Sequence, residues 1–300
     1  MSAYVQDQPQ PIVIPDSIPE WQPRRWPRWQ TVARHVVLAL FSLIILFPLV
    51  WVLILSVKSL PDAYQNDIWP KQFEFGHYRE ALAQIETLPR NFWNSVMVTG
   101  STVIITTVLA ILAGYALVHL NMPGRAVVLG LLVASMFFPT RVTAIISIWE
   151  VQRELGLINR AWGLIFPYVT LSLAISVFIM RGMFETVPKD LGDAAKIDGA
   201  GPVRMLLQVM LPIVSNGIVV VIIVNFVTAW GEYLLATTLM NDLEQKTLPV
   251  VLATASGGMG AWVWPRLAAV YVMAILPGLI AFGIAQRWYM KGLQEGALKG

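Results

Sequence analysis

The sequence predicts an all-α integral membrane protein with six spanning helices, and three observations carry that prediction. Of 300 residues, 56% are hydrophobic and 13% charged, whereas soluble domains run to about a quarter charged. Six segments are apolar over the roughly 20 residues that a helix needs to cross a bilayer core of about 30 Å. The Lys and Arg residues fall unevenly on the segments between them, as the positive-inside rule describes.

Taken in order, residues 1–30 are polar and carry Pro9, Pro11, Pro15, Pro19, Pro23 and Pro27. Proline at that density denies the backbone its helical donors, so the segment reads as a flexible tail. It ends in "WQPRRWPRW", with Trp21, Trp26 and Trp29 interleaved with Arg24, Arg25 and Arg28. Next to a membrane span this reads as an interfacial anchor rather than a nucleic-acid patch. The polar lead and the apolar run behind it are both too long for a cleavable signal peptide.

The six expected spans are Val36–Val57, Val96–Val118, Ala126–Trp149, Ala161–Met180, Ile213–Met240 and Leu267–Ala285. Charge enters them only at Arg141 and Glu232. Pro48, Pro139, Pro167 and Pro277 lie within spans, which suggests bent helices whose freed carbonyls are satisfied by neighbours or water. With an even number of spans both termini share a side. Placing them in the cytoplasm puts twelve Lys and Arg residues inside and eight outside, which favours that orientation. The expected organisation is a tail (1–30), a first span with an extracytoplasmic loop (31–90), a transmembrane domain (91–289) and a cytoplasmic C-terminal tail (290–300). Within the transmembrane domain, residues 181–211 face the cytoplasm. The loop at 58–92 looks like a small folded cap.

Composition excludes several functions. There is no cysteine, hence no disulfide, thiolate metal site or cysteine nucleophile. No GxxxxGK[ST] phosphate loop occurs, so the chain does not split ATP in that manner by itself. His35, His77 and His119 are scattered. Only His77 has carboxylates close by in sequence, Glu74 and Glu80, and a structural role is expected for all three. No paired carboxylates or Ser/His arrangement converge at one depth, so neither a catalytic nor a metal site is expected. The absence of an internal repeat argues against an inverted-repeat secondary transporter; an ATP-independent channel or secondary transporter is the alternative reading.

The stretch "DAAKIDGAGPVRMLLQVMLP", residues 193–212, is the anomaly, because it is polar and sits between two spans. "VPKDLGDAAKIDG" reads as a short helix, with Pro188 at its first position and Gly199 as its stop. Asp190 and Asp193 come early and Lys196 late, as the helix dipole prefers. Leu191, Ala194, Ala195 and Asp198 share one face, a small, nearly flat one suited to docking against protein. A second helical piece is expected from Pro202, ending before Pro212, which opens the fifth span.

Asp193-Ala194-Ala195, Gly199, Val209, Leu211 and Pro212 resemble the EAA loop, EAA-x3-G-x9-I-x-L-P, of binding-protein-dependent ABC importer permeases. Asp193 stands for Glu and Val209 for Ile. "IDGA" (197–200), "WGEYLLATTL" (230–239), "KTLPVVL" (246–252) and "KGLQEGALKG" (291–300) are similar to the carbohydrate-uptake group, of the type of the second permease of maltose transporters. The resemblance covers residues 35–300 and implies a type I ABC importer permease architecture in the cell membrane.

It further implies that Asp193, Ala194, Ala195, Asp198 and Gly199 dock in a cleft of an ATPase subunit, with Leu211 and Pro212 joining that coupling helix to the fifth span. Lys291, Gly292, Leu293, Lys299 and Gly300 would reach the ATPase dimer interface. The implied partners are a second permease, two ATPase subunits that bind ATP and Mg, and an extracytoplasmic solute-binding protein. No cofactor is expected in this chain, and no nucleic-acid partner. The implied cargo is a sugar or related polyol. Asn225, Thr228, Trp230, Glu232 and Tyr233 are candidates for lining its path. Arg141 would line it too, or pair structurally, or meet the sister subunit.

Overall fold

The computed structural model describes residues 28–65, 67–137, 141–258 and 263–297. No β-strand occurs among the described residues; a single antiparallel bridge joins Lys58 to Phe73. The chain divides into two units, residues up to Leu49 and residues from Val50 onward. The described part of the first unit is the apolar body of helix α1 (Arg28–Ser56), whose last turns belong to the second unit.

In the second unit a short loop domain follows, containing α2 (Leu60–Ala63) and α3 (Gly76–Gln84). Lys58 is buried there, its ammonium donating to the Asp67 carbonyl. His77 is buried as well and donates from Nε2 to the Lys58 carbonyl at 2.8 Å. That bond gives His77 a structural role within the loop.

Three helices then form the bundle: α4 (Leu88–His119), α7 (Ile165–Glu185, preceded by a 3₁₀ turn, Ala161–Leu164) and α11 (Ser215–Trp230). Lipid tails are as apolar as leucine, so helices in a membrane associate through close packing and hydrogen bonds. Gly114 lets α4 lie close against α7; a Cβ there would stand 3.0 Å from Met180 Cβ and the Arg181 backbone nitrogen. Gly217 brings α11 onto Met183 in the same way. One face of α4 is polar and buried, through Asn91, Asn94, Ser95, Thr99, Thr102 and Thr106.

At the start of α4 these groups bind the loop after α12 (Leu234–Leu239). Asn91 Nδ2 donates to the carbonyls of Leu243 (2.6 Å) and Lys246 (2.8 Å), and Asn94 Nδ2 to those of Glu244 (2.8 Å) and Lys246 (3.1 Å). Ser95 Oγ accepts from the Leu248 amide at 2.8 Å, which starts α13 (Leu248–Gly258). The last helix is α14 (Trp264–Ala297).

Among the described residues, four helical stretches are long and apolar enough to cross a membrane, Trp29–Ser56, Leu88–His119, Ala161–Glu185 and Trp264–Ile284, and a fifth candidate is the bent pair Pro202–Ile213 and Ser215–Trp230. Of the expected third span, the described residues form α5 (Arg125–Phe137) and α6 (Arg141–Glu154). The expected fifth span ends at Trp230 rather than Met240, because Gly231–Tyr233 break from the helix before α12. Residues 290–297, expected as a tail, continue α14.

Candidate functional site

The polar stretch between α7 and α11 forms a hook. It contains α8 (Lys189–Ile197), α9 (Pro202–Arg204), a π-helical segment (Met205–Met210) and α10 (Leu211–Ile213). Pro188 is the residue just before the first turn of α8 rather than its first residue. Gly199 ends the helix with φ +76°, a left-handed conformation that suits glycine. The Ala200 amide donates to the Ala195 carbonyl (2.9 Å) and the Gly199 amide to that of Lys196 (3.0 Å), the paired bonds of a Schellman stop. This fixes the end of α8 without help from outside.

The face that α8 presents differs by one position from the sequence expectation. Gly192 is buried and Ala195 half-buried; Ala195 packs on the core cluster that includes Met205, Leu206 and Met210. Leu191, Ala194 and Asp198 remain exposed, and Ile197 is 87% exposed. Ala195 therefore seats the helix on its own chain. The free face runs Leu191–Ala194–Ile197–Asp198, with Val203 (70% exposed) and Leu207 (56%) nearby in sequence. Asp193 is exposed and bonded to Lys196 Nζ at 2.9 Å. That hydrogen bond, with the lysine's charge, holds its carboxyl below the ordinary carboxylate range.

Leu211 packs against the same core cluster, and Pro212 lies exposed in the first turn of α10. The expected junction at Pro212 falls two residues later, at Val214, where the axis turns by 80° into α11. Pro212 has no N–H for the carbonyl a turn behind it, and it is just there that the helix widens to the π form.

The expected path residues on α11 and just after it differ in burial. Asn225 is fully buried and donates from Nδ2 to Ser176 Oγ and to the Val221 carbonyl, both at 2.8 Å. Trp230 stacks on Phe226 (centroids 5.6 Å apart) and donates to the Ala274 carbonyl at 3.1 Å. Thr228 is half-buried and Tyr233 exposed. Glu232 is buried: it accepts from Tyr168 Oη (2.6 Å) and from the Leu235 (2.9 Å) and Ala236 (3.1 Å) amides. It is the cap of α12 and a tie to α7. Arg141 begins α6 and Lys291, Gly292 and Leu293 lie on α14, but the side chains of Arg141, Lys291 and Leu293 lie outside the described residues. Lys299 and Gly300 lie wholly outside them.

Sequence reasoning missed the Asn91–Asn94–Ser95 clamp, although polar residues three and four apart in an apolar run were the signal for it. It also missed Ile197, because an isolated isoleucine in a polar stretch has no periodic partner to mark its direction.

Comparison with known proteins bears on this arrangement. Residues 106–294 match the family model described as "binding-protein-dependent transport system inner membrane component". The sulfoquinovosyl glycerol transport system permease protein SmoH of Agrobacterium fabrum is 35% identical over 257 residues, covering 85% of this chain and 89% of that protein. The maltose/maltodextrin transport system permease protein MalG of Escherichia coli is 32% identical over 285 residues, covering 89% and 95%. A chain in the crystal structure of a bacterial ABC transporter involved in import of the polysaccharide alginate shares the fold, with a TM-score of 0.77 at 21% identity over 87% of this chain and 97% of that one. The chain is a multi-pass membrane protein and belongs to the family of binding-protein-dependent transport system inner membrane components.

Proposed function

We propose that this chain is a permease subunit of an ATP-driven importer for a sugar or related polyol, and that ATPase subunits drive it through α8. The observation that carries the proposal is the free face of α8. Leu191, Ala194 and Ile197 are exposed beside Asp198 on a helix whose other side, Gly192 and Ala195, is seated on the chain's own core. A helix held rigidly from behind and apolar in front is suited to sit in a protein cleft and to transmit its displacement. Hydrolysis takes place in two partner ATPase subunits that bind ATP and Mg. A second permease completes the path, and an extracytoplasmic solute-binding protein delivers the cargo. Both termini and residues 181–211 face the cytoplasm.

The carbohydrate class is supported by the relatives, whose names specify sulfoquinovosyl glycerol and maltodextrin, and by the alginate importer of like fold. Moving a two-state equilibrium from 1:99 to 99:1 takes about 5.5 kcal/mol of differential binding, which nucleotide-driven closure can supply through a stiff joint. The test is to purify the tagged chain from its native membrane and reconstitute what accompanies it. An ATPase should co-purify, and hydrolysis should rise when a saccharide-loaded binding protein is added. Solute uptake by the chain alone, without ATP, would replace the proposal with a channel or secondary transporter.

A further inference from the structure

The hook reaches α11 through Leu211 and Val214, but a second connection leads elsewhere. Tyr115, near the end of α4, is 6% exposed and donates from its hydroxyl to the Pro202 carbonyl at 3.1 Å. That carbonyl also accepts the Met205 amide that begins the π-helix. The Tyr115 ring is fixed by an edge contact with Phe184 of α7 (5.8 Å between centroids) and by His119 (5.3 Å). Its hydroxyl therefore holds the hook from a side chain with little freedom of its own.

The surroundings give this bond its weight. Between α8 and the end of α4 lies a cavity of about 210 Å³, lined by His119, Lys189, Gly192, Lys196, Met205 and Met210. Displacement is passed on by packed groups, and across a void the lining atoms lack partners. On the cavity side, motion of α8 toward or away from α4 meets no packed side chains, so it reaches α4 through the Met205–Met210 segment, whose core cluster also holds Tyr115 and Phe184. Tyr115 lines the cavity, and its bond to Pro202 falls on α9, directly before the π-helical segment against which α8 packs. From Tyr115 the path continues into α7 at once, because Gly114, the preceding residue, lies so near α7 that a Cβ there would stand 3.0 Å from Met180 Cβ.

We propose that Tyr115 is a positioning residue that carries the displacement of the α8 hook into α4 and α7, so that these helices move together with α11. This rests on the coupling role assigned to α8 above. Without the bond, the ATPase would still grip α8 and hydrolyse ATP, but part of each stroke would be lost in the cavity.

The experiment uses the complete importer, reconstituted in vesicles, and measures solute taken up per ATP hydrolysed for wild type, Tyr115→Phe and Phe184→Leu. Tyr115→Phe keeps the ring and removes only the hydroxyl. It should lower the ratio about three- to tenfold, the scale set by one hydrogen bond, with complex yield and basal hydrolysis within about twofold of wild type. Phe184→Leu keeps the hydroxyl but loosens its seat, and should lower the ratio less. An unchanged ratio in Tyr115→Phe overturns the proposal, and so does a proportional fall in uptake and hydrolysis. Failure of both variants to assemble would make Tyr115 purely structural and also overturn it. If no ATPase accompanies the wild-type chain, the coupling role of α8 has failed instead.

Discussion

Replacing Glu232 separates a structural carboxylate from one that lines a path. Its two oxygens accept from Tyr168 Oη and from the amides of Leu235 and Ala236. Those amides lie in the first turn of α12, where a helix has no internal acceptor to offer. Glu232→Ala takes their shared acceptor from three buried donors, at about 1–2 kcal/mol each. The expected loss is about 3–6 kcal/mol, a large part of the roughly 5–15 kcal/mol that holds a protein folded. Glu232→Gln keeps a carbonyl oxygen in place for one or two of the donors and should cost about 1–2 kcal/mol. The assay is the yield of monodisperse protein in detergent, with the apparent unfolding temperature of what is recovered. Glu232→Ala should be recovered poorly and Glu232→Gln well. If Glu232→Ala unfolds at the wild-type temperature, or if both variants are equally damaged, the capping role is wrong.

Two glycines should respond oppositely to the same change. Gly114→Ala would put a Cβ 3.0 Å from Met180 Cβ and a backbone nitrogen, overpacking that costs about 1–3 kcal/mol. Gly192→Ala meets only Met210 Cε at 3.5 Å and gains about 1 kcal/mol of helix propensity; thermal unfolding should therefore fall for the first and rise for the second, and the same sign for both would refute the packing. Asn94→Ala removes the bonds to Glu244 and Lys246 and should speed proteolysis of the 240–247 loop in the folded protein, whereas unchanged cleavage would show the clamp to be dispensable. The Asp193 carboxyl, bonded to Lys196, should titrate below its unfolded value of about 3.9. Its contribution to α8 is thus complete above that value and lost as pH falls through the lower, folded one. A carboxyl NMR titration midpoint at or above about 3.9 would remove the ion pair from the account.

The parts legible in the sequence were those governed by neighbours along the chain. Pro188 and Gly199 bracket α8 to within a residue, because proline and glycine act through local backbone geometry. Apolar runs marked where helices lie: α4 and α14 contain expected spans whole, and α1 and α7 cover most of two others. What stayed hidden depended on groups distant in sequence. Ala194 and Ala195 are chemically identical, and only the docking of α8 on Met205–Met210 decides which of them is buried. Asn225 and Glu232 are polar residues in an apolar run, which pointed to a cavity. Ser176 and Tyr168, on another helix, claim them instead. The widening to a π-helix before Pro212 has no composition signature of its own.

The central claim is that an ATPase grips α8 by its free face, and site-directed cross-linking tests it most directly. The chain contains no cysteine, so Ile197→Cys introduces a single one, 87% exposed in the parent residue. In native membranes, a short thiol-to-amine cross-linker should join it to an ATPase subunit, and the yield should change with nucleotide. The same cysteine placed at Ala195, seated on the core, should give far less product. Equal yields at the two positions, or no ATPase adduct at Ile197, would contradict the account.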